Sequence, residues 1–142
     1  MSNETLSERL ALVATIDPQL VDNNSANSDW APMQHLRRIL FTLLLGATDT
    51  TVNAKLQRAT DASGTGAEDI PGKAITQLGA TADNKQAQLE VSAAEVGAFG
   101  FVRLVVTVGD GTTGAYIAAT GVGADARFGP ARGERLTSVA QG

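Results

Sequence analysis

Alternation of apolar and polar side chains with a period of two constrains the fold of this chain more than any other feature. In residues 52–59 the apolar side chains alternate with Asn53, Lys55 and Gln57, so one face is apolar and the other polar. Residues 99–108 are rich in valine, leucine and phenylalanine, and a central strand covered on both faces is predicted there. A half-buried strand and a buried strand in one chain favour a β-domain.

Turn-forming residues divide the rest of the chain into further strands. These are predicted at residues 37–46, 73–78, 88–96 and 116–122, and the alanines and glutamates of 88–96 leave part of that segment open to helix. Residues 47–51 are short enough for a hairpin loop, and Gly109-Asp110-Gly111 predicts a tight turn that pairs the strands on either side of it. About six or seven such strands predict an all-β fold, an antiparallel β-sandwich of jelly-roll-like form.

The first 35 residues differ from this pattern. Leu6, Leu10 and Val13 recur at helical spacing and predict a short helix up to residue 15, and residues 22–29 form a polar loop. The chain is therefore divided into an extended or partly helical N-terminal arm (1–35), a β-sandwich domain (36–131) and a C-terminal tail (132–142). A poorly ordered terminus and an arm that docks on a neighbouring subunit both remain open for the first segment.

Composition and charge argue against several classes of function. Fifteen acidic against 11 basic residues give a net charge of -4, which disfavours direct nucleic-acid binding. The chain has no cysteine, so disulfides and thiolate metal sites are excluded, and its single histidine rules out a histidine cluster. No apolar stretch is long enough to span a bilayer, and the first residues lack a signal-peptide pattern, so no membrane association is expected.

No motif in the sequence supports catalysis. Residues 66–73 resemble a phosphate-binding loop, but the glycines are too far apart, Ala74 stands where a hydroxyl is needed, and two acids would repel phosphate. Gly121-Val122-Gly123 lacks the third glycine of a dinucleotide site. A catalytic triad would have only His35 as its base. Asp61, Glu68, Asp69 and Asp83 lack the spacing of a calcium loop. We expect no enzyme activity, cofactor or metal.

Side chains suited to subunit contacts are present instead. Trp30 is interpreted as an interface anchor, with packing in the core as the alternative. Arg127 is expected to pair with an acidic neighbour, and His35 to lie at a surface or interface. The predicted interface residues are Leu6, Leu10, Val13, Trp30, His35 and Arg127.

Several segments in a fixed order carry a resemblance to a known family. They are VNAKLQRATDASGTG (52–66), IPGKAITQL (70–78), DNKQ (83–86), GFVRLVVTVG (100–109) and RFGP (127–130). Together they resemble small structural proteins of tailed phages that are encoded beside the major capsid protein. The resemblance covers residues 36–131 and leaves the arm outside it.

The resemblance implies a capsid decoration (cement) protein or a minor head protein without enzyme activity. Its implied partners are the major capsid protein and further copies of itself, as a dimer or trimer, in a virion that is assembled in the host cytoplasm. A head–tail connector or tail component is the first alternative. The second is a carbohydrate-binding surface module, which would need exposed aromatic platforms although the chain has one tryptophan and one tyrosine.

Overall fold

Residues 5–124 are described by the computed structural model, and they form two antiparallel β-sheets around one apolar core. The helices within these residues are a single turn each, so none of them is long enough to cross a membrane. The elements are α1 (Leu6–Arg9), β1 (Ala11–Val21), β2 (Asn24–Asn27), β3 (Ala31–Pro32), β4 (Arg38–Thr48), β5 (Val52–Ala59), β6 (Glu68–Ala74), β7 (Gln86–Ser92), α2 (Ala93–Val96), one 3-10 turn (Gly97–Phe99), β8 (Phe101–Val108) and β9 (Ala115–Ala124).

The strand order is that of a jelly roll. One sheet runs β1-β9-β4-β7, and the other runs β2-β8-β5-β6 with β3 also paired to β8. Apart from the steps β2 to β3 and β5 to β6, each successive strand lies in the opposite sheet. Two interleaved sheets of this kind define a double-sheet jelly roll. The predicted fold class, an all-β antiparallel sandwich, is confirmed.

The two hairpins predicted from the turn residues are wrong. Residues 47–51 and 109–111 do not join paired strands, because β4 and β9 share one sheet while β5 and β8 share the other. Each of these segments carries the chain from one sheet to the other, so the apolar side chains of the two strands that it joins enter the same core from opposite sides. The two crossings are tied together, since the Asp49 carboxylate accepts hydrogen bonds from the main-chain N–H groups of Thr113 (2.8 Å) and Gly114 (3.0 Å).

The predicted N-terminal arm ends far earlier than residue 35. The helix covers only Leu6–Arg9, and from Ala11 the chain forms β1, which pairs with β9 along its length. Part of the predicted polar loop forms β2. Tertiary burial overrides the helical spacing, because Val13, Ile16 and Val21 point into the core of the sandwich. The predicted tail and residues 125–131 lie outside the described residues.

Two predicted strands have different limits. The strand predicted at 73–78 begins earlier, as β6, and breaks its register on β5 around Pro71-Gly72. The segment 88–96 changes from β7 to α2, as its alanine and glutamate content allowed. The change is fixed by a capping box in which Ser92 Oγ accepts from the Glu95 N–H (3.3 Å) and Glu95 Oε1 accepts from the Ser92 N–H (2.9 Å).

Glycines on the inner face of β9 make room for large core side chains. A Cβ atom on Gly121 would lie 2.7 Å from Cε1 of the fully buried Phe41, and Gly123 is packed in the same way against Leu36. The Gly-Val-Gly sequence that resembles the start of a dinucleotide motif therefore has a packing role.

Candidate functional site

The outer surface of the four-stranded sheet is apolar over three neighbouring strands. Cross-strand rows of side chains run Leu12–Val122–Leu40 and Thr15–Thr120–Thr42, followed by Ala118 beside Leu44 and Leu20 beside Tyr116. We call this surface the apolar face. Its residues are Leu12, Thr15, Leu20, Leu40, Thr42, Leu44, Tyr116, Ala118, Thr120 and Val122. None of these ten residues carries a charge, and the exposed Arg38 borders them on the same side of β4.

One end of the apolar face is the most exposed. The exposed fractions of Leu20, Leu44 and Tyr116 are 46%, 45% and 50%. They line a shallow groove of about 390 Å³ together with Pro18 and Gly46. Gly46 helps to shape the groove, since a Cβ there would approach the Tyr116 Cβ to 3.2 Å. This cluster of large exposed apolar side chains makes the groove the candidate contact site of the described residues.

The outer surface of the five-stranded sheet has the opposite chemistry, and we call it the polar face. Arg103 donates two hydrogen bonds to Gln57 Oε1 (3.1 and 2.9 Å), and the Gln57 amide donates to Asp69 (2.9 Å). Lys55 forms an ion pair with the same carboxylate at 3.1 Å. The hydrogen bond from Gln57 and the charge and hydrogen bond of Lys55 lower the pKa of Asp69. These groups satisfy one another within the chain.

Two of the predicted interface residues are used inside the molecule. Val13 is 7% exposed and belongs to the core, so its predicted role at an interface is wrong. Trp30 is half-buried beneath the polar face, where the Arg103 guanidinium lies 4.4 Å from the ring centroid. Gly64 approaches the indole so closely that a Cβ would lie 2.9 Å from Nε1. Trp30 is not among the buried core residues, so these contacts decide neither the core alternative nor the anchor role, and the interface role of Trp30 stays a prediction.

The other predicted interface residues remain predictions. Leu6 is the first residue of α1 and Leu10 follows its last residue, with exposed fractions of 69% and 37%, and His35 is exposed in the turn between β3 and β4. Arg127 lies outside the described residues. The side chains of Leu6, Leu10 and His35 do not belong to the apolar face.

Sequence reasoning missed the groove on the apolar face, although one signal was present. Three consecutive leucines occupy positions 43–45 of a strand whose side chains alternate, so Leu44 must point to the solvent side. Nothing in the sequence indicated that Tyr116 and Leu20 would lie beside it, because β1 and β9 are about a hundred residues apart.

The four loop acids considered as a calcium site do not form one cluster. Within residues 5–124, no three acidic or imidazole side chains come together in a way that could hold a metal ion. Hydrogen bonds from the Thr65 side chain and main chain lower the pKa of Asp61. The main partners of these acids are Ser63 and Thr65 for Asp61, Arg58 for Glu68, Lys55 and Gln57 for Asp69, and Thr48 for Asp83.

Comparisons with known proteins give no family for this chain. No family model matches the sequence, and neither does any curated protein. Among solved structures, a structure of Triatoma virus is similar to it with 8% identity and a TM-score of 0.49, over 87% of this chain and 68% of that one. The SPBc2 prophage-derived protein YomS has 11% identity and a TM-score of 0.41, over 80% and 92%.

Proteins of other kinds are also similar in structure. A structure described as CBM4 has 17% identity and a TM-score of 0.48, over 77% of this chain, which spans 66% of its length. At such identities and TM-scores the likeness concerns the fold alone, and no chemistry or partner is transferred from these proteins.

Proposed function

We propose that this chain is a viral structural protein that decorates and stabilises a phage capsid shell, as a cement or minor head protein. The observation that carries the proposal is the apolar face, on which the exposed side chains of Leu20, Leu44 and Tyr116 cluster at one end. The sequence resemblance to small phage structural proteins supports the major capsid protein as the partner. The jelly roll by itself does not decide, because capsid domains and lectin domains both use it.

The two outer faces set the orientation of the bound molecule. Burial of the leucines and Tyr116 of the apolar face against a partner favours binding by about 25 cal/mol per Å² of apolar area removed from water. Contact through the polar face would add little binding free energy, since its charged groups already form hydrogen bonds and ion pairs with one another. The apolar face therefore lies against the shell, and the polar face remains in solvent.

Contacts between the apolar face and the shell would stabilise the capsid only in its assembled state. A molecule that binds the assembled shell but not free capsid subunits stabilises the shell by mass action. Each contact can be weak, because capsid symmetry repeats it many times over the particle. A decorating protein of this type needs a stable body and a docking surface, and it needs no reactive groups.

The first experiment is the stoichiometry of this chain against the major capsid protein in purified particles. A decoration protein is present in on the order of hundreds of copies, because it follows the symmetry of the whole shell. A connector or tail component occupies a single vertex and is present in roughly a dozen copies or fewer. Absence from purified particles contradicts both roles.

A pair of matched variants tests the docking surface itself. Leu44→Lys places a charge in the groove of the apolar face, and Thr107→Lys places the same charge on an exposed strand position of the polar face. In sedimentation with emptied shells, Leu44→Lys is expected to lose binding, because the lysine must be desolvated on docking. Thr107→Lys should bind like the natural chain. Equal binding by both variants contradicts docking through the apolar face.

A carbohydrate-binding role is the second candidate, and the half-exposed Tyr116 ring beside the groove favours it. Sugar rings bind against exposed aromatic side chains, and Trp30 is already covered by Arg103. A glycan array with the natural chain and Tyr116→Ala separates the two roles. Binding that depends on Tyr116 supports the carbohydrate role, and shell binding without any glycan signal supports decoration.

A further inference from the structure

Strand β7 forms one edge of the four-stranded sheet and lacks the irregularities of the other edges. At the opposite edge β1 has two register shifts and Pro18, and in the other sheet β6 has a shift around Pro71-Gly72, while β2 is only four residues long. By contrast, β7 pairs with β4 in an unbroken register from Arg38↔Ser92 to Leu44↔Gln86. Natural edge strands usually carry a bulge, a proline or charged side chains that prevent pairing with another chain, and β7 has neither bulge nor proline and only one charged side chain, that of Glu90.

The main-chain hydrogen bonds at the two ends of β7 show which of its residues point outward. Ala93 N–H donates to the Arg37 carbonyl (2.8 Å), and Leu45 N–H donates to the Lys85 carbonyl (2.9 Å). In an antiparallel ladder the bonded residues alternate, so the odd-numbered residues of β7 bond to β4. The main-chain groups of Gln86, Gln88 and Glu90 then point away from the sheet, and all three residues are exposed.

We infer that β7 pairs antiparallel with β7 of a second copy of this chain, about a two-fold axis at Gln88. In this register Gln88 lies opposite the same residue of the other copy, and Gln86 lies opposite Glu90. Each outward residue then exchanges both of its main-chain hydrogen bonds with its counterpart. No like charges meet, since the only charged side chain of the strand faces an amide.

The register centred on Gln88 uses the outward main-chain groups of β7 better than the register shifted toward Ser92. A shift that brings Ser92 into the ladder would need the Ser92 N–H, which already donates to Glu95 in the capping box of α2. The intermolecular pairing extends from Gln86 to Glu90 of each copy. It joins the two four-stranded sheets into one continuous sheet. A two-fold axis perpendicular to that sheet turns both apolar faces to the same side. The dimer forms without a capsid, so it can be tested independently of the proposed function.

Introduced cysteines test the register, because the natural chain contains none. In Gln88→Cys the two Cα atoms would be about 5.5 Å apart, within the range of a disulfide. Gln86→Cys is the matched control on the same edge, since its two copies would be roughly 13 Å apart along the strand. Under mild oxidation we expect dimers of Gln88→Cys, none of Gln86→Cys alone, and mixed dimers of Gln86→Cys with Glu90→Cys. Equal cross-linking of the two single variants overturns the proposal.

Two charge variants test the same contact without oxidation. Gln88→Lys sets two lysines against each other at the axis, whereas Gln86→Lys sets each lysine opposite Glu90. In sedimentation equilibrium over a concentration series, Gln88→Lys should weaken the dimer on the order of tenfold, and Gln86→Lys should keep or strengthen it. A natural chain that stays monomeric, or that forms only trimers, overturns the inference. Failure of Leu44→Lys to change shell binding would count against the docking face and leave this dimer untouched.

Discussion

Close packing at single residues decides where this sandwich tolerates change. Gly121 and Gly123 lie on the inner face of β9, and the space that they leave is filled by Phe41 and Leu36. Protein interiors are packed at crystal-like density, so there is no spare volume for an added methyl group beside a fully buried ring. These glycines therefore belong to the core as much as the leucines do.

Gly121→Ala should destabilise the fold. The new Cβ would lie 2.7 Å from Phe41 Cε1, and the buried ring has to shift. We expect the free energy of unfolding in urea to fall by about 1–3 kcal/mol. Gly79→Ala is the control, since no atom lies within 4 Å of its added Cβ, and its effect should stay within about 0.5 kcal/mol. Equal effects of the two variants would contradict the packing role.

The Asp49 carboxylate joins the two crossings by hydrogen bonds, and it makes the free energy of unfolding depend on pH. Hydrogen bonds from the N–H groups of Gly114 and Thr113 lower the pKa of its carboxyl group. A lowered folded-state pKa contributes stability above the ordinary range of aspartate, and this contribution is lost as the pH falls through the folded-state pKa.

Asp49→Asn should therefore be less stable than the natural chain near neutral pH, and the difference should shrink on acidification. Urea unfolding at about pH 7 and about pH 3 measures the change. Asp110→Asn serves as the control, because its side chain makes no hydrogen bond to any of residues 5–124. If the gap between Asp49→Asn and the natural chain stays constant with pH, the carboxylate does not link the two crossings.

At the scale of elements, the fold requires β1 but not the residues that precede it. It completes the four-stranded sheet by pairing with β9, and it buries Val13, Ile16 and Val21. The segment before it contributes exposed leucines and a single helical turn without buried residues. An N-terminal arm, if the chain has one, therefore lies before Ala11.

Two truncations test this division. Removal of residues 1–10 should leave the free energy of unfolding within about 0.5 kcal/mol, since residues 5–10 contribute no buried apolar side chain. Removal of residues 1–21 deletes β1 and exposes the inner face of the sheet, so this product should fail to fold. Circular dichroism and thermal unfolding measure both effects. Weaker shell binding by the folded shorter truncation would support the predicted contacts of Leu6 and Leu10.

At the scale of the whole molecule, the two sheets present different chemistry to their surroundings. The polar face bonds its charged groups to one another, and the apolar face leaves leucines and a tyrosine exposed. In the proposed role, the apolar face is the side for contact and the polar face is the side for solvent. The edge strand β7 adds a direction in which two molecules can join within one plane.

Shells that carry this protein should resist heat better than shells that lack it. Binding to the assembled state alone adds RT ln(1 + [L]/Kd) for each site, or about 2.7 kcal/mol when the free concentration is a hundred times Kd. Calorimetry of emptied shells with increasing amounts of the natural chain should show a rising disassembly temperature. The Leu44→Lys variant should leave that temperature unchanged, and a rise of equal size with the variant would place the contact elsewhere.

The alternation of side chains was enough to predict an all-β sandwich, because a period of two depends only on the local extended backbone. The strand β8 was predicted instead from the valine-rich composition of residues 99–108. Partner choice between strands depends on distant segments, so the predicted hairpins at 47–51 and 109–111 were wrong. Helical spacing in residues 6–13 misled for the same reason, since burial of β1 against the core outweighs weak local propensity. The apolar face arises from strands far apart in the sequence, and only their pairing in the sheet brings Leu20, Leu44 and Tyr116 together.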